Sequence, residues 1–177
     1  MFLPKIAFPN PPYNSLIVKY LPPPPPPVFL TTVCCAVMIA LPSVVSSSSM
    51  VALIVSGAIE TEKFDIVAHL DKIKMHNQDR FFKEDEKWYR QLAQHAIELI
   101  KKFNLIIEIN SRGLYKGRCN AFYPAAFIVA EAAKKDIPFI ISSDAHLSSE
   151  LNLYYPEAVR YLIDNGVQEL VYLQDNQ

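Results

Sequence analysis

The stretch Ile137-Pro-Phe-Ile-Ile-Ser-Ser-Asp-Ala-His146 decides the fold class of this chain. Its first six residues are almost wholly apolar, which is typical of a short strand buried on both faces of a parallel sheet. Asp144 and His146 follow two positions apart, so on extended backbone they project to the same side. Because the carboxyl ends of such strands carry the chemistry of α/β proteins, the stretch predicts a functional site there. A structural alternative has Asp144 capping the next helix and His146 in a loop.

Two other apolar stretches end in polar residues in the same way. His69 lies near the end of the first, Phe64-Asp-Ile-Val-Ala-His69-Leu-Asp71. Glu108 and Asn110 lie near the end of the second, Asn104-Leu-Ile-Ile-Glu-Ile-Asn110. Helical patterns separate the strands, and helices are predicted at 84–103, 124–135 and 156–165. A last strand is predicted at 168–173. This alternation predicts a parallel sheet with right-handed crossovers, either closed into a barrel or open and doubly wound.

The longest predicted helix has one apolar stripe. Its members recur at helical spacing and are Trp88, Leu92, Ala96, Leu99, Ile100 and Phe103. The spacing predicts that this stripe faces the core, with Trp88 as a core residue.

Composition divides the chain near residue 60. Residues 1–59 contain Lys5 and Lys19 as their only charged side chains, and they hold 11 of the 14 prolines, including the run Pro22 to Pro27. Such a run favours a stiff polyproline II segment without a packed core. We therefore expect 1–59 to be a separate Pro-rich and apolar segment, poorly ordered or membrane-like, and 60–177 to be the folded domain.

The apolar part of the N-terminal segment leaves several interpretations open. Residues 28–45 are at the lower limit of length for a membrane span, and Pro42 interrupts them. Three interpretations are open for this stretch: a membrane anchor, a removable targeting segment, or a stretch foreign to the domain, such as one translated from a mispredicted 5′ end of the gene. Three cysteines without metal-like spacing suit a reducing compartment, so a cytoplasmic protein is expected, with membrane association through 28–45 as the alternative.

The charge pattern excludes some classes of function. The formal net charge is −1 and no basic stripe is present, so no nucleic-acid partner is expected. The sequence contains no P-loop, no G-x-G-x-x-G, no H-E-x-x-H and no G-x-S-x-G motif. Residues 60–177 supply about four strands and three longer helices, which is about half of a β/α barrel.

Four blocks together carry a family resemblance. They are Ala68-His-Leu-Asp-Lys-Ile-Lys74, Glu108-Ile-Asn-Ser-Arg-Gly-Leu114, Phe122-Tyr-Pro124 and Ile137 to His146. In order and spacing they resemble the C-terminal half of histidinol-phosphatases of the PHP (polymerase and histidinol phosphatase) superfamily, over about 60–177. The resemblance implies a distorted seven-stranded β/α barrel, of which this chain would hold the C-terminal half.

The resemblance also implies a site and a chemistry. The family holds up to three divalent metal ions (Zn, Mn or Fe) that bind the phosphate and activate water. Carried over by motif, His69, Asp144 and His146 would each ligate one metal. Arg112, or alternatively Arg118, would clamp the phosphate of a small phosphorylated substrate. Glu108 and Asn110 would shape the pocket floor. No catalytic residue is predicted beyond the metal ligands.

The chain departs from the family in its N-terminal part. The family opens with an H-x-H block and further His and Glu ligands, whereas residues 1–59 contain no His, Asp or Glu. One ligand per metal does not hold a catalytic metal against water. The resemblance, together with this departure, implies a metal-dependent hydrolase of L-histidinol phosphate, in histidine biosynthesis, that is truncated and inactive as this polypeptide. The alternatives are a non-catalytic half-barrel remnant, membrane-tethered in one version, and a PHP phosphoesterase with another substrate. The oligomeric state is left open.

Overall fold

A computed structural model describes residues 17–21, 32–34, 64–77 and 79–173. Within them, one sheet contains the strands β1 (Ile17–Leu21), β2 (Thr32–Cys34), β3 (Ile66–Ala68), β4 (Ile106–Asn110), β5 (Phe139–Ser142) and β6 (Glu169–Leu173). Their order across the sheet is β1-β6-β5-β4-β3-β2, and every neighbouring pair is parallel. The predicted parallel sheet is therefore confirmed.

Helices connect the strands from β3 onward. The α-helices are α1 (Lys87–Lys102), α2 (Arg112–Tyr115), α3 (Ala126–Ala133) and α4 (Tyr155–Asp164), and short 3-10 helices cover Lys72–His76 and Ser148–Glu150. Three of the α-helices match the predicted ones within a few residues. The sequence analysis missed α2, which is too short to show an apolar period.

The core lies between the sheet and its helices. All five residues of β4 are buried, and the side chains of Val67, Ile107, Ile109 and Phe139 are fully enclosed. They pack with the buried faces of α1, α3 and α4 in one large apolar cluster. A smaller cluster of Ile66, Ile106 and Val171, with Ile140 packed against it, also belongs to β3–β6. β3 and β4 are buried along their whole length, as expected for strands covered on both faces. In β5 only Phe139 is buried, so the prediction of a strand buried on both faces was wrong for the rest of β5.

The buried face of α1 differs from the predicted stripe. It consists of Tyr89, Ala93, Ala96, Ile97, Leu99 and Ile100. Trp88 and Leu92 are only partly buried and Phe103 is 39% exposed, so the prediction was wrong for these three residues. The helix is rotated toward Tyr89, whose ring contacts Phe82 and Phe127. Because Trp88 and Tyr89 are adjacent aromatic residues, spacing alone could not show which of them faces the core.

Two short strands of the N-terminal segment join the sheet at its edges. β1 pairs with β6, and β2 pairs with β3, in parallel. The sequence analysis did not predict these strands. Their residues Ile17, Val18, Tyr20, Thr32 and Val33 are β-branched or aromatic, which favours strand formation where proline is absent. The rest of 1–59 lies outside the described residues, so the boundary near residue 60 stays a prediction.

The proposed membrane segment, 28–45, also lies outside the described residues except for β2. Among the helices that the structure describes, none has both the length and the apolar character needed to cross a bilayer.

A buried ion pair fixes the loop after β3. Asp71 Oδ2 lies 3.0 Å from Lys74 Nζ, and both side chains are 3% exposed. The same oxygen accepts a hydrogen bond of 2.7 Å from the backbone N–H of Ala125, just before α3. Lys74 Nζ also lies over the ring of Tyr123. Asp71 therefore joins two loops that are distant in sequence, one of which carries His69.

Gly113 allows α2 to approach Tyr123 closely. A Cβ atom at Gly113 would lie 2.8 Å from Tyr123 Cε2, and the Tyr123 side chain is fully buried. We expect Gly113→Ala to destabilise the fold by about 1–3 kcal/mol, because a buried ring must shift. Urea unfolding followed by circular dichroism measures this effect.

Gly117 offers the matched control for that substitution. It has a φ of 61° with open space around it, so Gly117→Asn, which tolerates this conformation, should cost little. An equal loss of stability in both variants would contradict the packing explanation.

Candidate functional site

The candidate site lies at the carboxyl ends of β3, β4 and β5. His69 follows β3, Asn110 ends β4, and Asp144 comes two residues after β5. His69 and Asp144 have φ values of 54° and 51°, in the left-handed region that non-glycine residues rarely adopt. Such conformations cluster at functional sites, where surrounding structure enforces them.

The structure brings His69, Asp144 and Glu108 together. His69 Nε2 lies 3.7 Å from Asp144 Oδ2, and His69 Nδ1 lies 3.7 Å from Glu108 Oε2. Glu108 Oε2 also accepts hydrogen bonds from the backbone N–H of His69, at 3.2 Å, and from Asn110 Nδ2, at 3.3 Å. Glu108 and Asn110 are themselves buried. The imidazole is therefore held between two carboxylates from neighbouring strands.

The electrostatics of His69 favour its neutral form. Burial lowers the pKa of His69 most strongly, while the nearby Glu108 carboxylate opposes this by raising it. His69 Nδ1 is buried and has no hydrogen-bond partner among the described residues. The ring thus keeps an uncommitted nitrogen, as a ligand or proton acceptor does.

This lowered pKa gives a testable pH dependence of stability. Below pH 6.5 the unfolded chain protonates His69 while the folded chain does not, so the free energy of unfolding falls as pH drops from about 7 toward the lowered pKa. Urea unfolding at pH 7.5 and 5.5 should therefore show a larger loss for the wild type than for His69→Gln. An identical loss in both proteins would show that another group causes it.

Arg112 lies beside Asp144 and His146. Arg112 Nε is 3.7 Å from Asp144 Oδ2, and Arg112 Nη1 is 2.7 Å from His146 Nδ1. Arg112 Nη1 also donates to the backbone carbonyl of Asp144. His146 is 65% exposed, and its Nδ1 lies 3.8 Å from Asp144 Oδ1. A fixed cation therefore lies next to two of the three predicted metal ligands.

The described residues do not by themselves fit a resident metal ion. In the described part of the chain, no group of three or more His, Cys, Asp or Glu side chains is arranged to hold one. His69 and Asp144 are neighbours, but the His146 ring contacts the Arg112 guanidinium. Catalytic metal sites normally use three protein ligands. The predicted metal-ligand roles of His69, Asp144 and His146 therefore stay predictions.

A narrow pocket, too tightly closed in this structure to hold a water molecule, lies at this sheet edge. Both arginines that were predicted as phosphate clamps, Arg112 and Arg118, line it, and so does Lys72, which the sequence analysis did not single out. His69, Asn110 and Asp144 line it as well. Cationic side chains thus outnumber carboxylates in this lining, which favours an anionic ligand.

Glu150 is the main site neighbour that the sequence analysis missed. Its carboxylate accepts a hydrogen bond from Lys116 Nζ and another, of 3.0 Å, from the backbone N–H of His146. Together these hydrogen bonds lower the pKa of Glu150 to about 2. The position of Glu150 four residues after His146 was a possible signal, but its pairing with Lys116 spans 34 residues and leaves no pattern in the sequence.

A Deinococcus radiodurans protein named as a probable histidinol-phosphatase is 32% identical over 113 residues, which cover 64% of this chain and 40% of that relative. The chain resembles part of a histidinol-phosphatase. This confirms the resemblance that the sequence motifs indicated. No family model matches the chain.

A structural comparison supports the fold. A crystal structure from Listeria monocytogenes, of a protein with a provisional histidinol phosphatase assignment, matches with a TM-score of 0.57. The match has 22% sequence identity and covers 63% of this chain and 43% of the other. The chain therefore has the α/β fold of part of that structure. It spans about two fifths of the length of the Deinococcus relative.

Proposed function

We propose that this chain carries one part of a metal-dependent phosphomonoester hydrolase of the histidinol-phosphatase type. The observation that carries the proposal is the convergence of His69, Asp144 and Arg112 on one pocket at the carboxyl edge of the sheet. The similarity to a named histidinol-phosphatase supports the substrate, L-histidinol phosphate, which would be hydrolysed to L-histidinol and phosphate in histidine biosynthesis.

The described residues would contribute phosphate recognition. Arg112, Arg118 and Lys72 line the pocket, and a guanidinium fork matches phosphate oxygens. Glu108 and Asn110 would form the pocket floor, because they are buried and hydrogen-bonded beside His69. His69, Asp144 and His146 would each give one ligand to the family's divalent metals, with the remaining ligands coming from a family N-terminal half. We also propose that the protein is cytoplasmic.

The fold proposal is that this sheet is part of a distorted (β/α)7 barrel of the PHP type. Strands that are consecutive in sequence pair from β2 to β6, and the last strand pairs with the first. This is the cyclic order of a barrel, interrupted between β1 and β2. We also propose 60–177 as the family domain and 1–59 as a separate segment, although β1 and β2 join the sheet.

A test of the function compares this polypeptide with a chimera. In the chimera, residues 1–59 are replaced by the N-terminal half of a family histidinol-phosphatase, which restores the missing ligands. We expect release of phosphate from L-histidinol phosphate near background for the 177-residue polypeptide, even with added Mn²⁺ or Zn²⁺, and measurable turnover for the chimera. A chimera that hydrolyses only other phosphate esters would favour a different PHP substrate.

The described residues do not form a complete set of metal ligands, which favours a second candidate, a non-catalytic remnant. A correctly folded chimera that hydrolyses no phosphate ester would support it.

Arg112 gives a separate prediction for phosphate binding. In the chimera, Arg112→Ala should raise KM with a smaller change in kcat, because a charge-assisted hydrogen bond to the phosphate contributes about 1.5–3 kcal/mol. Arg160→Ala, which removes an exposed arginine of α4, is the control and should change neither constant. Equal kinetics for both variants would exclude Arg112 as the phosphate clamp.

A further inference from the structure

Glu150 joins the main elements of the candidate site. Its side chain is 6% exposed. One carboxylate oxygen, Oε1, accepts from Lys116 Nζ, directly after α2. The other, Oε2, accepts from the backbone N–H of His146 at 3.0 Å and lies 3.7 Å from Arg112 Nη1 and 3.4 Å from the Tyr115 hydroxyl. One carboxylate thus contacts α2 and the chain segment that follows β5.

Arg112 is held from several directions at once. Its side chain is 11% exposed, and Nη1 donates to the Asp144 carbonyl and to the Tyr115 hydroxyl, at 3.1 Å to the latter. Tyr115 in turn donates to the Ser143 carbonyl at 2.8 Å. Only Asp144 and Glu150 provide carboxylates within ion-pair distance of Arg112 among the described residues. Asp144 is part of the pocket lining, whereas Glu150 is not among the pocket-lining residues.

We propose that Glu150 is a positioning residue, which holds the Arg112 guanidinium and the His146 backbone in the geometry that the anion site needs. The inference deepens the proposed function and rests on it for the identity of the ligand. Glu150 does not touch the ligand and acts through Arg112. A long, flexible arginine side chain that is fixed before binding loses less entropy when it binds an anion.

Positioning and simple electrostatics predict opposite effects of removing this charge. Glu150 is an anion near a site for anions, so by Coulomb repulsion alone Glu150→Gln would tighten phosphate binding. If Glu150 positions Arg112, the same substitution weakens binding. The variant should still fold, because Ser111 Oγ and Ser143 Oγ anchor the same segment through the Leu153 and Leu151 carbonyls, at 2.8 and 2.9 Å.

The test uses the full chain with two probes. Phenylglyoxal modification, resolved by peptide mass spectrometry, reports how firmly Arg112 is held. Calorimetric titration with inorganic phosphate, in the presence of EDTA, reports anion affinity. Glu150→Gln should speed the modification of Arg112 and weaken phosphate binding about tenfold, the scale of one charge-assisted contact. Arg90 should keep its modification rate. Glu131→Gln, which removes an exposed ion pair with Lys134, is the matched control and should change neither readout.

Each outcome decides a separate point. An unchanged rate of Arg112 modification in Glu150→Gln overturns the positioning role, whatever phosphate does. Faster modification with tighter phosphate binding also overturns it, because Glu150 then acts only by its charge. If Arg112→Gln leaves phosphate binding unchanged, or if the wild type binds none, the phosphate site of the proposed function fails in this chain. In that case the rate of Arg112 modification still tests, independently of phosphate, whether Glu150 holds Arg112.

Discussion

Asp144→Ala in the chimera should reduce the release of phosphate from L-histidinol phosphate to background. Asp144 is the carboxylate that lies between His69 Nε2 and Arg112 Nε, 3.7 Å from each. It is also the predicted ligand of one metal ion. Because loss of even an indirect partner of a metal ligand typically costs 10–100-fold, loss of Asp144 should cost at least about a hundredfold in kcat/KM. His146→Ala should act in the same direction.

The control for this prediction is Asp164→Ala, which removes an exposed carboxylate at the end of α4. It should leave turnover unchanged. Metal content, measured by atomic absorption after purification, should fall in Asp144→Ala but not in Asp164→Ala. Full activity in a chimera that lacks both Asp144 and His146 would discard the metal-site interpretation altogether.

We expect Asp71→Ala to be more destabilising than any other single substitution proposed for this chain. It leaves Lys74 as a buried charge without its carboxylate and deprives the Ala125 N–H of its acceptor. Removing one partner of a buried ion pair typically costs about 3–5 kcal/mol, which is a large part of the stability of a small domain. Urea unfolding of the full chain measures the change in the free energy of unfolding.

Two comparisons separate the buried charge from other causes. Glu131→Ala breaks an exposed ion pair with Lys134 and should cost no more than about 1 kcal/mol. The double variant Asp71→Ala/Lys74→Met removes both buried charges and should regain part of the lost stability. A cost below about 1 kcal/mol for Asp71→Ala would show that Lys74 reaches water or another partner.

The sequence predicted the centre of the fold because its signals there are local. The runs before His69, Asn110 and Asp144 are short and mostly apolar, so parallel strands were predicted without knowledge of distant contacts. The predicted burial on both faces holds for β3 and β4 but not for most of β5. The shared sheet edge then placed His69 and Asp144 together, which is where the structure has them.

Other features depend on contacts that no spacing reveals. β1 and β2 are short strands in a proline-rich context, and each forms by pairing with a strand distant in sequence. The hydrogen bond between Lys116 and Glu150 likewise joins residues far apart in the chain. The orientation of α1 was missed for another reason, since Trp88 and Tyr89 fit the helical period about equally well.

Hydrolysis of L-histidinol phosphate by three matched proteins would decide whether the site at the sheet edge is a phosphatase site. Phosphate release would be measured for the 177-residue polypeptide, for the chimera, and for the chimera with Asp144→Ala, each with added Mn²⁺. We expect turnover for the intact chimera alone. Robust, chelator-sensitive turnover by the unmodified polypeptide would contradict the claim that its site lacks ligands, and an active Asp144→Ala chimera would contradict the site itself.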